Sequence, residues 1–184
     1  MYRALRRKYY LCPMESYTTL KELLAKRRSI FPKDYTGGDI APEHLVEILR
    51  SGSLTPQHKK TMPHDFRLLT GEEKDAMGVT LAQIYKATTP PEQFLEKKYL
   101  DISSKWSRSS AVVVLVVRYS GLVPRWEEMA AVAMGVQNMH LLCTSLGLGC
   151  YWGTPGLKDR LTAHLSLSEN QECLGFFFIG TLNY

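Results

Sequence analysis

Between Glu128 and Lys158 the chain carries no Lys, Arg, Asp or Glu. A membrane-spanning helix needs only about 20 apolar residues, so this stretch either crosses a bilayer or lies inside the protein. Its own residues decide against the bilayer. Gln137, Asn138 and His140 fall near its middle, and Gly147, Gly149, Gly153, Pro155 and Gly156 interrupt its second half. A helix buried on all sides, leading into an internal loop or strand, accommodates them. The sequence therefore predicts a long central helix, "PRWEEMAAVAMGVQNMHLLCTSLGLG", and no membrane partner.

Two other apolar runs complete the interior. "AVVVLVV", Ala111–Val117, and "LGFFFIGTL", Leu174–Leu182, are continuous enough to be strands buried on both faces. "DFRLLT" alternates like a third strand. Thr18 and Thr19 are placed to cap a helix beginning "LKELLAKRR". Pro42 suits the first turn of "PEHLVEILRSG", with Gly52 as its C-terminal cap. Two further helices are expected between Glu72 and about Lys105, divided by "TTPPE". Helices thus cover both faces of a mixed sheet. No repeat or linker divides the 184 residues, and one domain over 17–184 is expected, after a tail over 1–16. That tail, with four cations and no acid before Glu15, reads either as a flexible end or as an organelle-targeting remnant. The location is cytoplasmic on the first reading and an organelle matrix on the second.

A net charge of +5 is modest, and its cations are dispersed over 6–8, 26–28, 59–60 and 97–98. No nucleic-acid module accompanies them, so no nucleic-acid partner is expected. Cys12, Cys143, Cys150 and Cys173 form no C-x-x-C and no zinc spacing with histidine. Reduced thiols are the simplest account, with Cys143 and Cys150 as inert core residues.

Three stretches have the composition of a binding site. In "LAKRRSI", Lys26, Arg27 and Arg28 either complement a helix C-terminus or, with Ser29, cradle a phosphate through charge-assisted bonds. "GSLTPQHKKTMPHDF", Gly52–Phe66, is a proline-containing loop with two histidines; His58 has no second metal ligand at a suitable spacing. "GLGCYWGTPG", Gly147–Gly156, is rich enough in glycine to bring backbone amides against a flat ligand, or is simply a strand and turn with Trp152 in the core. It lacks the spacing of a dinucleotide fingerprint or a P-loop.

In this order the stretches resemble the nitroreductase family, and most nearly its compact subgroup of FMN-dependent NAD(P)H oxidoreductases, over about residues 17–182. The resemblance implies a three-layer α/β/α fold of the α+β class around the long helix, and a homodimer with two FMN sites at its interface. By position, Arg27, Arg28 and Ser29 would hold the phosphate and ribityl chain. Leu54 and His58 would sit by the flavin with the partner's help. Trp152, Gly153 and Thr154 would line the other side, with an amide near flavin N5. Arg125 and Trp126 would shape the substrate mouth, or else serve as a surface cation and a core anchor. Arg28 and His58 are candidates to stabilise the reduced flavin.

The activity implied is hydride transfer from NADH or NADPH through N5 to a nitroaromatic, quinone or similar electron-poor acceptor, by ping-pong kinetics. The alternatives are a flavin-binding protein without turnover and a basic nucleic-acid module. The chain departs from the family pattern in three ways. His64 replaces a tryptophan, Gly153 stands where relatives often place a cation, and the sequence stops at Tyr184, as a truncated product would.

Overall fold

The computed structural model describes residues 14–183. Cys12 and nearly all of the expected tail lie outside the described residues. The strand β1 (His64–Thr70) pairs with β2 (Ala111–Arg118), β2 with β4 (Gln171–Gly180), and β4 with β3 (Gly149–Gly153), giving the order β1-β2-β4-β3. Five helices accompany them: α1 (Met14–Lys26), α2 (Pro42–Ser53), α3 (Gly71–Thr88), α4 (Glu96–Arg108) and α5 (Arg125–Ser145).

The central strand sets the layers. β2 is buried along its first seven residues, and successive side chains point to opposite faces. Val113, Leu115 and Val117 meet Ile48 of α2 and Val132, Val136 and Met139 of α5. Val112, Val114 and Val116 meet Leu81 of α3 and Trp106 of α4. The result is the expected α/β/α sandwich. Burial of each such aliphatic side chain contributes about 1.5–3 kcal/mol, so β2 alone anchors both layers.

The sheet is antiparallel at every pair rather than mixed. The two helices α3 and α4 return the chain to the end of the sheet it left, so β2 runs against β1. The single helix α5 makes β3 run in the same direction as β2, as a mixed sheet requires, but β4 inserts between them and pairs with both. A bulge marks β4: Leu115 pairs with Gly175 and Val116 with Cys173, leaving Leu174 as an extra residue. It turns Leu174 toward the α5 layer and Cys173 toward the α3–α4 layer.

Three local expectations are corrected. Thr18 and Thr19 lie inside α1, and Thr18 donates its hydroxyl to the Met14 carbonyl at 3.0 Å instead of capping the helix. Gly52 lies within α2, not beyond its end, because α2 packs so closely on β1 and α5 that an added Cβ would meet the Phe66 ring at 2.6 Å and the Met139 sulfur at 3.2 Å. Helix α5 is not buried on all sides: Trp126, Met129, Met134 and Gln137 lie exposed along it. No helix among the described residues is long and apolar enough to cross a membrane.

Candidate functional site

The segment after α1 is stitched to the open edge of the sheet. Ile30 donates its amide to the Cys150 carbonyl at 2.9 Å, and the Phe31 ring lies 4.5 Å from Tyr151. Tyr35 secures the next turn by donating its hydroxyl to Ile30 O at 2.8 Å. Backbone polar groups alternate in direction along a strand. If Cys150 O points outward to Ile30, the amide and carbonyl of Trp152 also point to the open edge. Arg27, Arg28 and Ser29 therefore stand beside a strand edge that presents unpaired backbone.

Within this group the three residues differ. Arg28 donates from one guanidinium nitrogen to Ala25 O at 2.7 Å and to Arg27 O at 2.9 Å, which caps α1. The helix-end reading of the cationic triplet is thus correct for Arg28 as the chain stands. The side chains of Arg27 and Ser29 make no hydrogen bond to another described residue, and Ser29 is exposed. A cation and a hydroxyl remain available to an anion at the edge, as do the remaining donors of the Arg28 fork.

The strand opposite these groups is shaped by glycine. A Cβ on Gly153 would come within 3.1 Å of both the Tyr151 and Phe178 rings. Gly175 adopts φ +123, where a side chain is strained, and a Cβ there would meet Gly153 O at 2.4 Å. The bulge at Leu174 aims its carbonyl at Trp152, whose indole N–H donates to it at 3.1 Å. Trp152 is thereby fixed half-buried against the α5 layer, while Thr154 is exposed.

A second group forms at the other end of the long helix. The loop after α2 runs along α5, held at Asn138 in the helix's second half and at Glu127 in its first turn. Asn138 donates to Ser51 O and Leu54 O, at 3.1 and 2.9 Å. His58 Nδ1 lies 2.7 Å from Glu127 Oε2, and Lys59 Nζ donates to Leu122 O at 3.1 Å. Lys59, Lys60 and Met62 all have φ near +50, a left-handed conformation that costs about 1–2 kcal/mol for each non-glycine residue. Leu54 projects from this strained loop 76% exposed, and Trp126 stands at the start of α5, 68% exposed. Trp126 is therefore not a core anchor. Arg125 lies over the Tyr119 ring at 4.6 Å.

Among the described residues no hydrogen bond, ion pair or ring contact joins Arg27–Ser29 or Trp152–Thr154 to Leu54–His58 or Arg125–Trp126. The expected residues therefore lie in two separate groups on one chain, one beside the edge of β3 and one on the loop after α2 with the first turn of α5.

His64, the departure from tryptophan, packs near Phe66 and against α5. Its Nε2 donates to Ala131 O at 3.1 Å and lies 3.0 Å from Thr55 Oγ1, while Nδ1 is buried without a partner. Burial holds this imidazole below its usual value, so it folds neutral. The unfolded chain takes up the proton at a higher pH than the folded one. His64 thus costs nothing above the ordinary histidine value of about 6.5 and destabilises as pH falls below it. The urea midpoint is expected to drop between pH 7.5 and 5.5, and His64→Phe to flatten that dependence; an equally steep decline in the variant would assign it elsewhere.

Sequence reasoning missed His140 and Glu127. His140 Nδ1 lies 3.1 Å from Cys150 Sγ, and Cys143 is buried in the same cluster. Cys143, then His140, and the charge of Arg27 pull the Cys150 thiol below its usual value. Cys150 is therefore a buried thiol with a polar partner, His140, beneath the strand edge. The signal was present as a lone histidine ten residues before a cysteine, but only the helix-to-strand packing brings them together.

The Nitroreductase family model matches residues 24–181. The chain is 26% identical over 166 residues to YdjA of Escherichia coli (strain K12), provisionally named an NAD(P)H nitroreductase, covering 87% of this chain and 86% of that protein. In fold it is similar to a nitroreductase-like family protein from Bacillus cereus, with TM-score 0.76 and 24% identity over 90% of this chain and 86% of that one. It is similar also to the FMN-dependent nitroreductase NfnB from Mycobacterium smegmatis, solved with NADPH, with TM-score 0.72 and 13% identity over 91% and 89%.

Proposed function

The chain belongs to the nitroreductase family, and on that premise we propose that it is an FMN-dependent NAD(P)H oxidoreductase whose two half-sites are joined by a second copy of the chain. The observation that carries this reading is the bond from Ile30 to Cys150, which sets a cation and a hydroxyl beside the outward-facing backbone of Trp152. The residues fit the cofactor. Arg27 and Ser29, with the remaining donors of Arg28, would bind a phosphate dianion. The backbone of Trp152 faces the open edge of β3, and a flat ring laid along that edge would meet its amide.

When bound, the flavin supplies reversible hydride chemistry that no side chain offers. The protein's part is to orient it, exclude water and place charge. Leu54 and Trp126 supply apolar surface from the partner's half-site. The His58–Glu127 pair supplies a proton-carrying group at the same mouth. Donor and electron-poor acceptor use that one mouth in turn, which gives ping-pong kinetics with nitroaromatics or quinones as acceptors.

The dimer is favoured by what one chain leaves exposed. Helix α1 buries none of its 13 residues and exposes Tyr17, Leu20 and Leu24. Most helical stability comes from packing an apolar face, so those side chains need a surface to cover. The exposed Met129 and Met134 of α5 offer one. The test is optical. The purified protein is expected to be yellow, or to become so with added FMN, and to bleach with NADPH under nitrogen. A protein that stays colourless with excess FMN sinks the reading, and one that is yellow but never bleaches is a binding protein without turnover.

A further inference from the structure

A cleft of about 460 Å³ opens between α4 and the turn after α1, on the α3–α4 side of the sheet and outside both half-sites. Its walls carry Phe31, Lys33, Asp101, Ser104, Lys105 and Arg108. A narrower cavity of about 180 Å³ shares Lys105 with it and continues to Tyr151, Gly153, Thr154 and Pro155. That inner cavity is walled by the core side chains Leu81, Trp106, Phe176 and Phe178, whereas the outer cleft adjoins the strand edge assigned to the flavin through Phe31, whose ring packs on Tyr151 of β3.

The chemistry of the outer cleft is specific. Three cations face one acid, and Asp101 is engaged by Lys105 at 2.7 Å, so two positive charges are uncompensated. Arg108 donates from one nitrogen to Lys33 O at 3.2 Å, which pins the turn to the helix and leaves the rest of its fork unused. Ser103 and Ser107 of α4 turn their hydroxyls back onto helix carbonyls, at 3.2 Å each. Ser104, which lines the cleft, makes no such bond. Phe31 is 45% exposed at the mouth, braced from behind by Tyr151. An exposed aromatic face beside a guanidinium fork, two ammonium groups and a free hydroxyl matches a base next to a phosphate monoester.

We propose that this cleft takes the adenosine 2′,5′-bisphosphate half of NADPH, with Lys33, Lys105 and Arg108 selecting NADPH over NADH. The assignment rests on the reading of the chain as an NAD(P)H oxidoreductase. The adenine stacks on Phe31, and the 2′-phosphate, which NADH lacks, meets the uncompensated cations. The nicotinamide half extends from there past Phe31 and Tyr151 to the edge of β3.

The experiment is calorimetric titration of the full chain, saturated with FMN, with adenosine 2′,5′-bisphosphate, 5′-AMP and inorganic phosphate. The bisphosphate is expected to bind at least tenfold more tightly than either of the others, the scale of one charge-assisted hydrogen bond. The double variant Lys33→Gln/Lys105→Gln should lose that advantage and raise KM for NADPH at least tenfold more than KM for NADH. Its thermal midpoint confirms that it folds, and the single variants serve if it does not. Equal binding of bisphosphate and 5′-AMP overturns the proposal, as does unchanged binding in the variant. So does displacement of the bisphosphate by further FMN, which would make the cleft part of the flavin site. The flavin reading is judged separately by colour: a yellow protein that ignores the bisphosphate sinks only the cleft, and a colourless one that binds it sinks only the flavin.

Discussion

The Arg27→Ala/Ser29→Ala variant should purify largely free of FMN while remaining folded. Neither side chain bonds to another described residue, so their removal leaves the structure little disturbed. In the complex each would contribute a charge-assisted bond to the phosphate, at about 1.5–3 kcal/mol. Loss of both corresponds to at least a hundredfold or so in Kd. Fluorescence titration with FMN measures this, beside a thermal melt. Arg28→Ala makes the contrast, because it weakens both the ligand and the end of α1, where Arg28 caps two carbonyls. Full FMN occupancy in the Arg27/Ser29 variant would remove the phosphate assignment.

Gly135→Ala is expected to be the most damaging of the small substitutions. An added Cβ on Gly135 would lie 2.1 Å from the Gly52 carbonyl oxygen, where α5 crosses α2. That neighbour is backbone and cannot rotate aside, so the helices must separate. Overpacking of this kind costs about 1–3 kcal/mol and sometimes more, and here the upper end applies. Helix propensity points the other way, since alanine is favoured over glycine inside a helix by about 1 kcal/mol. The sign of the measured change therefore separates packing from propensity. A displaced α2 also loosens the Asn138 bonds that hold Leu54 and its loop, so FMN affinity should fall with stability. Urea denaturation of the variant is the measurement, and wild-type or greater stability would mean that the helices do not cross so closely.

Much of the fold was legible because it depends on local pattern. The run Ala111–Val117 could only be a strand covered on both faces, and it lies at the centre of the sandwich. The prolines at 90 and 91 divide α3 from α4, as "TTPPE" implied. Gly52 was misread because a glycine near a helix end looks the same whether it ends the helix or admits a neighbour, and only the crossing with Gly135 distinguishes these. The antiparallel sheet was likewise illegible, because no residue in β4 announces that it will lie between β2 and β3.

The candidate site divides along the same line. Arg27, Arg28, Ser29 and the glycines around Trp152 were recognisable by composition and order. Which guanidinium caps a helix, which amide faces the open edge and how His140 reaches Cys150 were not, since each is fixed by contacts between residues distant along the chain. The same holds for the basic cleft, whose Lys33 and Arg108 are 75 residues apart. The sequence by itself determined what each segment is, because hydrophobic period, turn residues and charge act over a few neighbouring positions. Only the tertiary structure decided which groups confront one another, because hydrogen bonds and charges act through distances that packing alone sets.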